Sequence, residues 1–316
     1  MSRLLIMWTM ALCLLFACGQ VITIALPTGL PFGGKAAYKD GSLPRGYERF
    51  LSPAAYNFRF SWPGEPVRRG AVSERYELRD GDCVDPDCKA GRLRAELREA
   101  DKSETARVGQ DIWYGWSFHN ASQGAVTRDQ SIGLVLGQWK PSGDQPPAFR
   151  IVQTAQGELD WTKCDPSICN REGSATDDVV AELENMKVAS NWGPTQNYGD
   201  VCRLFSMAES RGKWVDILIN TNFAAGPEGY LRIWVNGVLK CNYNGRMVWG
   251  SPALMTGTAI SHRRGIFASY TKPWRAKQGG AAIPTIVVYY DEFMAGKARA
   301  DVDTAYRESA GLRPLD

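Results

Sequence analysis

Short runs of β-branched and aromatic residues alternate with clusters of Gly, Pro, Asn and Asp along most of the chain. This pattern is typical of β-sandwiches and jelly rolls. Residues 230–235 and 238–240 flank an Asn-Gly pair and predict a hairpin with a type I′ turn. Residues 285–290 predict a buried strand, whereas only 176–187 and 302–309 have a helical pattern. We therefore predict an all-β jelly roll, a concanavalin A-like sandwich, with few short helices.

The segment 92–99 predicts a strand with one apolar and one charged face, because successive side chains of a strand point to opposite sides. The residues predicted to face the core are Leu93, Ala95 and Leu97. The opposite face carries Arg92, Arg94, Glu96 and Arg98. Glu96 can orient the neighbouring guanidinium groups so that they bind a carboxylate. The alternative is a solvated strand face with ion pairs between strands.

The apolar segment 131–137 ends in two polar residues, Gln138 and Lys140, which lie two positions apart and therefore on one face of a strand. Gln138 can donate a hydrogen bond to a carboxylate. Lys140 can act as a cation, or as a base if burial and neighbouring arginines lower its pKa. The alternative is a strand that simply reaches solvent at Gln138.

Residues 262–275 are basic and aromatic, and they predict a strand that leads into a loop before the last core strand. The candidates for binding a polyanionic sugar chain are Arg263, Tyr270, Lys272 and Trp274. Cations would pair with carboxylates, and rings would stack on sugars. The alternative is a flexible surface loop.

Positive and negative charges nearly balance, with 37 Lys and Arg against 34 Asp and Glu. A formal net charge of +3 excludes the strong overall basic field typical of nucleic-acid-binding proteins. The 11 Trp and 12 Tyr favour sugar stacking in an exported protein, and Trp116 and His119 are candidates for the sugar site. We expect a monomer without a cofactor, and a structural calcium stays open.

An apolar run at residues 4–17 is too short for a lasting membrane span and predicts a secretory signal peptide over 1–20. The sequence before Cys18 loosely matches a lipobox, so lipid anchoring through Cys18 is an open alternative. Residues 21–45 predict an irregular lead-in, and 46–316 predict one β domain. We expect a periplasmic or secreted protein with no integral membrane span in the mature chain.

Of the eight cysteines, Cys13 and Cys18 lie in this leader, and the other six fit an oxidising compartment. The simplest connectivity pairs Cys83 with Cys88, Cys164 with Cys169, and Cys202 with Cys241. A metal site is the alternative, but the chain has 2 His and no two-residue spacing between cysteines. We therefore expect disulfides and no metal site.

Six segments occur in the order and spacing of a known family: ELRDGD at 77–82, RAELR at 94–98, WYGWS at 113–117, LGQW at 136–139, GYLRIWVNG at 229–237 and VYYD at 288–291. Together they resemble the polysaccharide lyases grouped with heparin lyase I and glucuronan lyase, which share an active-site plan with jelly-roll alginate lyases. The resemblance covers about residues 55–297.

The resemblance implies β-elimination at a uronic acid of an acidic polysaccharide. In that reaction an Arg and a Gln neutralise the carboxylate, a base removes the C-5 proton, and an acid protonates the departing O-4. Arg94 matches the family's arginine, and Gln138 matches its glutamine. Residues 263–267 match the family's Lys-x-Gly-x-Tyr, whose tyrosine is usually catalytic.

The chain departs from the family pattern at two positions. Lys140 stands at the usual histidine, and Phe267 stands at the usual tyrosine. Phenylalanine cannot transfer a proton, so Tyr270 supplies the phenol beside Lys140, or the chain binds sugar without cutting it. His119 is another candidate base.

Two other classes of protein remain as alternatives. A lectin-like protein would use the same basic and aromatic groove without proton transfer, and the absence of the family tyrosine favours it. A retaining glucanase carries Glu-x-Asp-x-x-Glu, and residues 158–163 come close, but Lys163 replaces the last carboxylate. We therefore favour a lyase.

Overall fold

Two antiparallel sheets, one of eight strands and one of seven, face each other in the computed structural model. The structure describes residues 43–100, 106–122, 132–153, 168–169 and 179–316, apart from the side chains of residues 194–195. The strands are β1 (Tyr47–Arg49), β2 (Phe58–Phe60), β3 (Glu74–Leu78), β4 (Leu93–Glu99), β5 (Ala106–Arg107), β6 (Ile112–Asn120), β7 (Leu134–Pro141), β8 (Phe149–Gln153), β9 (Val179–Glu182), β10 (Asp200–Phe205), β11 (Trp214–Thr221), β12 (Tyr230–Val235), β13 (Val238–Asn244), β14 (Ala259–Ala268) and β15 (Ile286–Gly296).

Helices in the described residues are short. They are α1 (Asp87–Ala90), α2 (Glu184–Ala189), α3 (Pro252–Met255), α4 (Thr271–Lys277), α5 (Arg299–Val302) and α6 (Thr304–Ser309), together with 3-10 turns at Ala55–Asn57 and Pro194–Gly199. None of these helices is long and apolar enough to cross a membrane.

The order of strands in each sheet departs widely from their order in the chain. The first sheet, which we call the cleft sheet, runs β1-β4-β14-β7-β8-β9-β10, and β5 also pairs with β14. The second, the back sheet, runs β13-β12-β11-β6-β15-β3-β2. Crossovers between two antiparallel sheets define a jelly roll, so the predicted fold class is confirmed.

Aromatic side chains fill much of the space between the two sheets. Trp139 stacks on Phe149 with ring centroids 4.2 Å apart, and Trp116 and Phe293 lie in the same cluster. Burying this apolar surface supplies the main favourable term in folding. On β4 the alternation predicted from the sequence is confirmed, because Leu93, Ala95 and Leu97 belong to this core.

A buried ion pair also lies between the sheets. Arg264 of β14 donates to both carboxylate oxygens of Glu74 on β3, at 2.7 and 2.8 Å, and Tyr76 donates to the same carboxylate. Beside it, the hydroxyl of Tyr47 is hydrogen-bonded to Nδ1 of His262 at 3.0 Å. Arg264 and His262 therefore face the core, whereas their neighbour Arg263 faces the other side of the sheet.

Two local predictions are confirmed and one, a helix, is wrong. Asn236 and Gly237 have φ of 49° and 79°, as a type I′ turn requires, and Ile286–Gly296 extends the predicted last strand. The helix predicted over 176–187 is wrong, because Val179–Glu182 is a strand paired on both sides and a helix follows only from Glu184. Residues 176–178 lie outside the described residues.

The chain after β14 forms the helix Thr271–Lys277 instead of the predicted loop. Near the C-terminus the predicted helix 302–309 is divided, because Val302 ends α5 and α6 begins at Thr304. Asp303 between them caps α6 by accepting from the backbone N–H of Tyr306.

Disulfides join Cys83 to Cys88 and Cys202 to Cys241, which confirms two of the expected pairs. Cys169 is also in a disulfide, and its expected partner Cys164 lies outside the described residues. The predicted signal peptide with Cys18, most of the lead-in 21–45, and the glucanase-like segment 158–163 lie outside them as well. Those expectations stay predictions.

Candidate active site

An open cleft of about 860 Å³ lies on the face of the cleft sheet that points away from the core. Strands β4, β14, β7 and β8 form its floor, and α2, α4 and the 144–147 loop form its sides. The predicted site residues that line it are Arg92, Arg94, Gln138, Lys140, Arg263, Tyr270 and Lys272. The sheet thus brings together residues that are up to 180 positions apart.

A row of polar residues crosses the cleft sheet at right angles to its strands, one from each of seven neighbouring strands. Directly paired residues of antiparallel strands share a face, about 4.8 Å from one strand to the next. In spatial order this transverse row is Glu48, Arg98, Arg263, Gln138, Arg150, Glu182 and Asp200. Both ends are acidic, and the centre is basic.

Glu96 holds two of the predicted catalytic side chains in place. Its carboxylate accepts from Nη1 of Arg94 at 2.6 Å and from Nε2 of Gln138 at 2.5 Å. Asp87 accepts from Nε of Arg94 at 2.8 Å, and the ring of Phe267 lies 4.2 Å from the guanidinium carbon. Among the described residues no acceptor contacts Nη2 of Arg94, so this nitrogen is the one left for a ligand.

Arg263 carries an unpaired guanidinium group at the centre of the transverse row. It forms no side-chain hydrogen bond or ion pair with any described residue, and its Nε is buried without a partner. The ring of Phe50 lies 4.1 Å from its guanidinium carbon and supports Arg94 and Arg98 at 4.9 and 4.7 Å. Burial and the nearby Arg94 lower the pKa of Arg263, against the opposing effect of Glu96.

Lys140 lies on the same strand as Gln138, two residues further on and beside the cleft. Its Nζ donates to the carbonyl oxygen of Gly143 at 2.8 Å. Burial and then the charge of Arg263 lower the pKa of Lys140, and Asp144 opposes them. These are the influences that the sequence predicted for a lysine acting as a base.

Tyr270 lines the cleft with 49% of its surface exposed. It precedes α4 in the left-handed backbone region, with φ of 59°. Phe267, which stands where the family has its tyrosine, lines the cleft and packs against Val135 and Val152 on the cleft face of the sheet. The phenol group that reaches this cleft therefore comes from Tyr270 and not from the family position.

Three predicted substrate-binding residues do not lie in the cleft. Trp116 is 2% exposed between the sheets, where it contacts Trp139, so its assignment to the sugar site is corrected. His119 lies on the outer face of the back sheet against Trp214, which removes it as a base. Trp274 turns its ring to the core. Trp116 and His119 lie on β6, where both faces carry aromatic residues, so the local sequence does not determine which face points inward.

Arg98 belongs to the transverse row but does not line the cleft. It forms an ion pair with Glu48 at 2.5 Å and not with Glu96 as the sequence suggested. Within the cleft, Lys272 donates to the carbonyl oxygen of Lys89, and Arg92 is exposed.

Four residues of the site were not predicted from the sequence: Phe50, Asp87, Arg150 and Glu184. Asp87 lies in α1 inside the Cys83–Cys88 region, and its contact with Arg94 depends on how that loop folds back. Arg150 lies on β8, the strand that follows β7 in the chain. Alternation along residues 149–153 could therefore have predicted which face of the sheet it occupies. Phe50 and Glu184 follow short elements that carry little periodicity.

No group of three or more His, Cys, Asp or Glu side chains suited to a metal ion occurs among the residues that the structure describes.

A jelly roll with a basic cleft and an arginine-glutamine-lysine cluster is the arrangement expected of a protein that acts on acidic carbohydrates. The polysaccharide lyase family model matches residues 57–294, and the chain belongs to this family. The resemblance noted in the sequence is thereby confirmed. No curated protein sequence matches the chain.

The chain is also similar to solved structures, of which the first shows the same fold. An endo-β-1,4-glucuronan lyase from the fungus Trichoderma reesei is 15% identical with a TM-score of 0.51, and the match covers 85% of this chain and 98% of that one. The alginate lyase AlgAT5 of polysaccharide lyase family 7 is 12% identical with a TM-score of 0.44, covering 76% and 81%. The alginate lyase Aly36B is 13% identical with a TM-score of 0.45, covering 77% and 84%.

Proposed function

We propose that this lyase cleaves a uronic-acid-containing polysaccharide by β-elimination in the cleft around Gln138. The observation that carries the proposal is the unpaired guanidinium group of Arg263 directly opposite Gln138, with Lys140 on the same face. A cleft that holds an unpaired cation beside an amide and an amine suits a carboxylate whose neighbouring carbon is to lose a proton.

In this proposal the uronate carboxylate accepts hydrogen bonds from Arg263, from Nη2 of Arg94 and from the amide of Gln138. These donors stabilise the charge that develops on the carboxylate when the C-5 proton leaves. Glu96 and Asp87 act as positioning residues, because they hold Arg94 and Gln138 without being free to touch the sugar.

Lys140 and Tyr270 carry the proton transfers. The neutral amine of Lys140 takes the C-5 proton, the electron pair of that bond forms the C-4 to C-5 double bond, and the bond from C-4 to O-4 breaks. The phenol of Tyr270 protonates the departing O-4. The products are a reducing chain end and an unsaturated uronate, and no water is consumed.

A carbohydrate-binding protein without catalysis is the second candidate, and the observation that favours it is Phe267 at the family's tyrosine position. The measurement that separates the two is ultraviolet absorbance during incubation with glucuronan, alginate and glycosaminoglycans, because only elimination produces a conjugated uronate. We expect a rise on one substrate that Lys140→Met and Tyr270→Phe abolish. Lys297→Met and Tyr306→Phe, at exposed positions outside the cleft, are the controls.

If no substrate gives a rise while calorimetry still detects binding, the lyase chemistry is wrong and the binding protein is correct. We also infer an oxidising compartment from the disulfides at Cys83–Cys88 and Cys202–Cys241. Growth-medium and periplasmic fractions of producing cells, probed for the protein, test whether it is exported.

A further inference from the structure

Four charged side chains form a cluster at the β8–β9 side of the cleft. Arg150 donates through Nη2 to Glu182 at 2.6 Å and to Glu184 at 3.0 Å. Lys187 lies 3.3 Å from Glu182 and 3.7 Å from Glu184. Two cations thus share two carboxylates, and the mechanism proposed above uses none of them.

This cluster continues the part of the cleft proposed to bind the uronate. Arg150 lies directly opposite Gln138, one strand further across the sheet, and Glu182 lies opposite Arg150. Arg150, Glu184 and Lys187 line the same cleft as Gln138. One strand spacing is about 4.8 Å, which is comparable to the advance of one sugar unit along an extended polymer.

The two carboxylates of the cluster are not equivalent. The Glu182 side chain is 4% exposed and lies on β9, whereas Glu184 is 20% exposed and lies on the short helix α2. Arg150 contacts both carboxylates through a single nitrogen, and its Nε is buried without a partner. A guanidinium group usually binds a carboxylate with two parallel hydrogen bonds, so Arg150 has donors to spare.

We propose that this cluster is a second carboxylate subsite, in which a uronate carboxylate of the polymer replaces Glu184 as the partner of Arg150 and Lys187. The proposal rests on the proposed function, because it takes the same polymer through the same cleft. Glu182 stays in place as the buried counter-ion, and Glu184 is the exchangeable one.

The exchange couples sugar binding to the uptake of a proton by Glu184. A third carboxylate cannot share two cations at no cost, so Glu184 must move to solvent or become neutral. Burial, and next the hydrogen bond with Glu182, raise the pKa of Glu184 to about 7, against the opposing charge of Arg150. Burial on its own would also raise the pKa of Glu182, but Arg150, the hydrogen bond with Glu184 and Lys187 together outweigh burial and hold that pKa low.

The charged groups that face Glu184 come from every neighbouring element. They are Arg150 on β8, Glu182 on β9 and Lys187 on α2, with Asp200 on β10 acting on both cations and Asp144 on the loop beside the cleft. A neutral Glu184 leaves the two cations facing Glu182 and the more distant Asp200, so the charge of the subsite becomes more positive by one unit as the pH falls.

Calorimetric titration of the Tyr270→Phe protein with tetrasaccharides of glucuronate and of mannuronate tests the subsite. If binding needs neutral Glu184, the Kd rises about ten-fold from pH 6 to pH 8, because the competent fraction falls accordingly. When Glu184→Gln is added, the protein is expected to bind the tetrasaccharide at pH 6 and at pH 8 as tightly as the protein with Glu184 binds it at pH 6. Glu308→Gln, an exposed position outside the cleft, is expected to keep the ten-fold dependence.

Arg150→Met, and Lys187→Gln as the less buried second variant, are expected to weaken binding at least ten-fold at pH 6. The subsite proposal is wrong if the Glu184→Gln protein keeps the ten-fold pH dependence of binding. It is also wrong if both cation variants bind with unchanged affinity. Ultraviolet assays of the wild-type protein keep the two proposals separate. If product forms but binding does not depend on pH in this way, the lyase proposal stands and the subsite proposal is wrong. If binding shows this pH dependence but no product forms, the subsite proposal stands and the lyase proposal is wrong.

Discussion

Arg263 and Arg264 are neighbours on β14 that face opposite sides of the cleft sheet, and substitutions at these positions should separate stability from activity. Arg264 is 1% exposed and is bound by Glu74, which has no exposed surface. Arg263 lines the cleft and has no ion pair with any residue in the described ranges. Glu74→Gln removes the partner charge of Arg264 while keeping the side-chain shape, and Arg263→Met removes the unpaired cation.

The expected loss of stability in Glu74→Gln follows from the burial of the Arg264–Glu74 ion pair. Removing one partner of a buried ion pair costs about 3–5 kcal/mol of unfolding free energy, because the other charge remains buried without compensation. At about 2–4 °C per kcal/mol for a domain of this size, Glu74→Gln should lower the Tm by roughly 6–20 °C. Replacing both charges, as in Glu74→Leu with Arg264→Met, should recover most of that loss. Arg263→Met should change stability by about 0.5 kcal/mol or less.

Urea unfolding followed by circular dichroism measures the stabilities, and the ultraviolet assay measures elimination. We expect Glu74→Gln to be unstable but active at low temperature, and Arg263→Met to be stable and inactive. A Glu74→Gln protein as stable as the wild type would refute the reasoning about the core. An Arg263→Met protein with full activity would refute the reasoning about the cleft.

The remaining predictions concern proton transfer. Lys140→Met should lower kcat by about 10²–10⁴-fold, the usual range for a general base. Because the base must be neutral and its pKa lies below the 10.5 of an ordinary lysine, the wild-type rate should rise with pH up to that lowered pKa. Asp144→Asn removes a charge that raises this pKa, so the rising limb should move to lower pH; a limb that stays in place or moves up argues against Lys140. Tyr270→Phe should abolish product, and adding Phe267→Tyr should restore part of it, as initial rates will show; a double variant as inactive as Tyr270→Phe would mean that the family position no longer reaches the sugar. Tyr270→Gly should also be inactive yet about 1 kcal/mol more stable in urea, since glycine adopts positive φ without strain.

Much of the candidate site could be predicted from the alternation of side chains along single strands. On β4, alternation alone places Arg94 and Glu96 on one face and the apolar residues on the other, because side-chain direction in a strand depends only on position. The same rule relates Gln138 to Lys140. Alternation does not say which strands become neighbours, and the pairing of Gln138 with Arg263 and Arg150 depends on that order.

Other features depend on contacts that no local pattern encodes. Alternation places Arg264 on the core face, where a charge is disfavoured, and only Glu74, 190 residues away, makes that position tolerable. Along 113–119 both faces carry aromatic residues, so the pattern could not show that Trp116 faces inward and His119 outward. For residues 179–182, propensity favoured a helix, but pairing with β8 and β10 on both sides made a strand.

The backbone at Tyr270 bears on the choice between an enzyme and a sugar-binding protein. A bulky residue held at positive φ is strained by roughly 1–3 kcal/mol, and such strain persists where the surrounding structure enforces it. Here the carbonyl oxygen of Tyr270 accepts the first hydrogen bond of α4 from Trp274, so the helix fixes that conformation. Simple stacking on a sugar needs no such placement, and glycine would relieve the strain. A tyrosine is nevertheless present here, beside a cleft in which Phe267 replaces the family tyrosine. A phenol that must reach the departing oxygen accounts for its presence, and this favours the lyase.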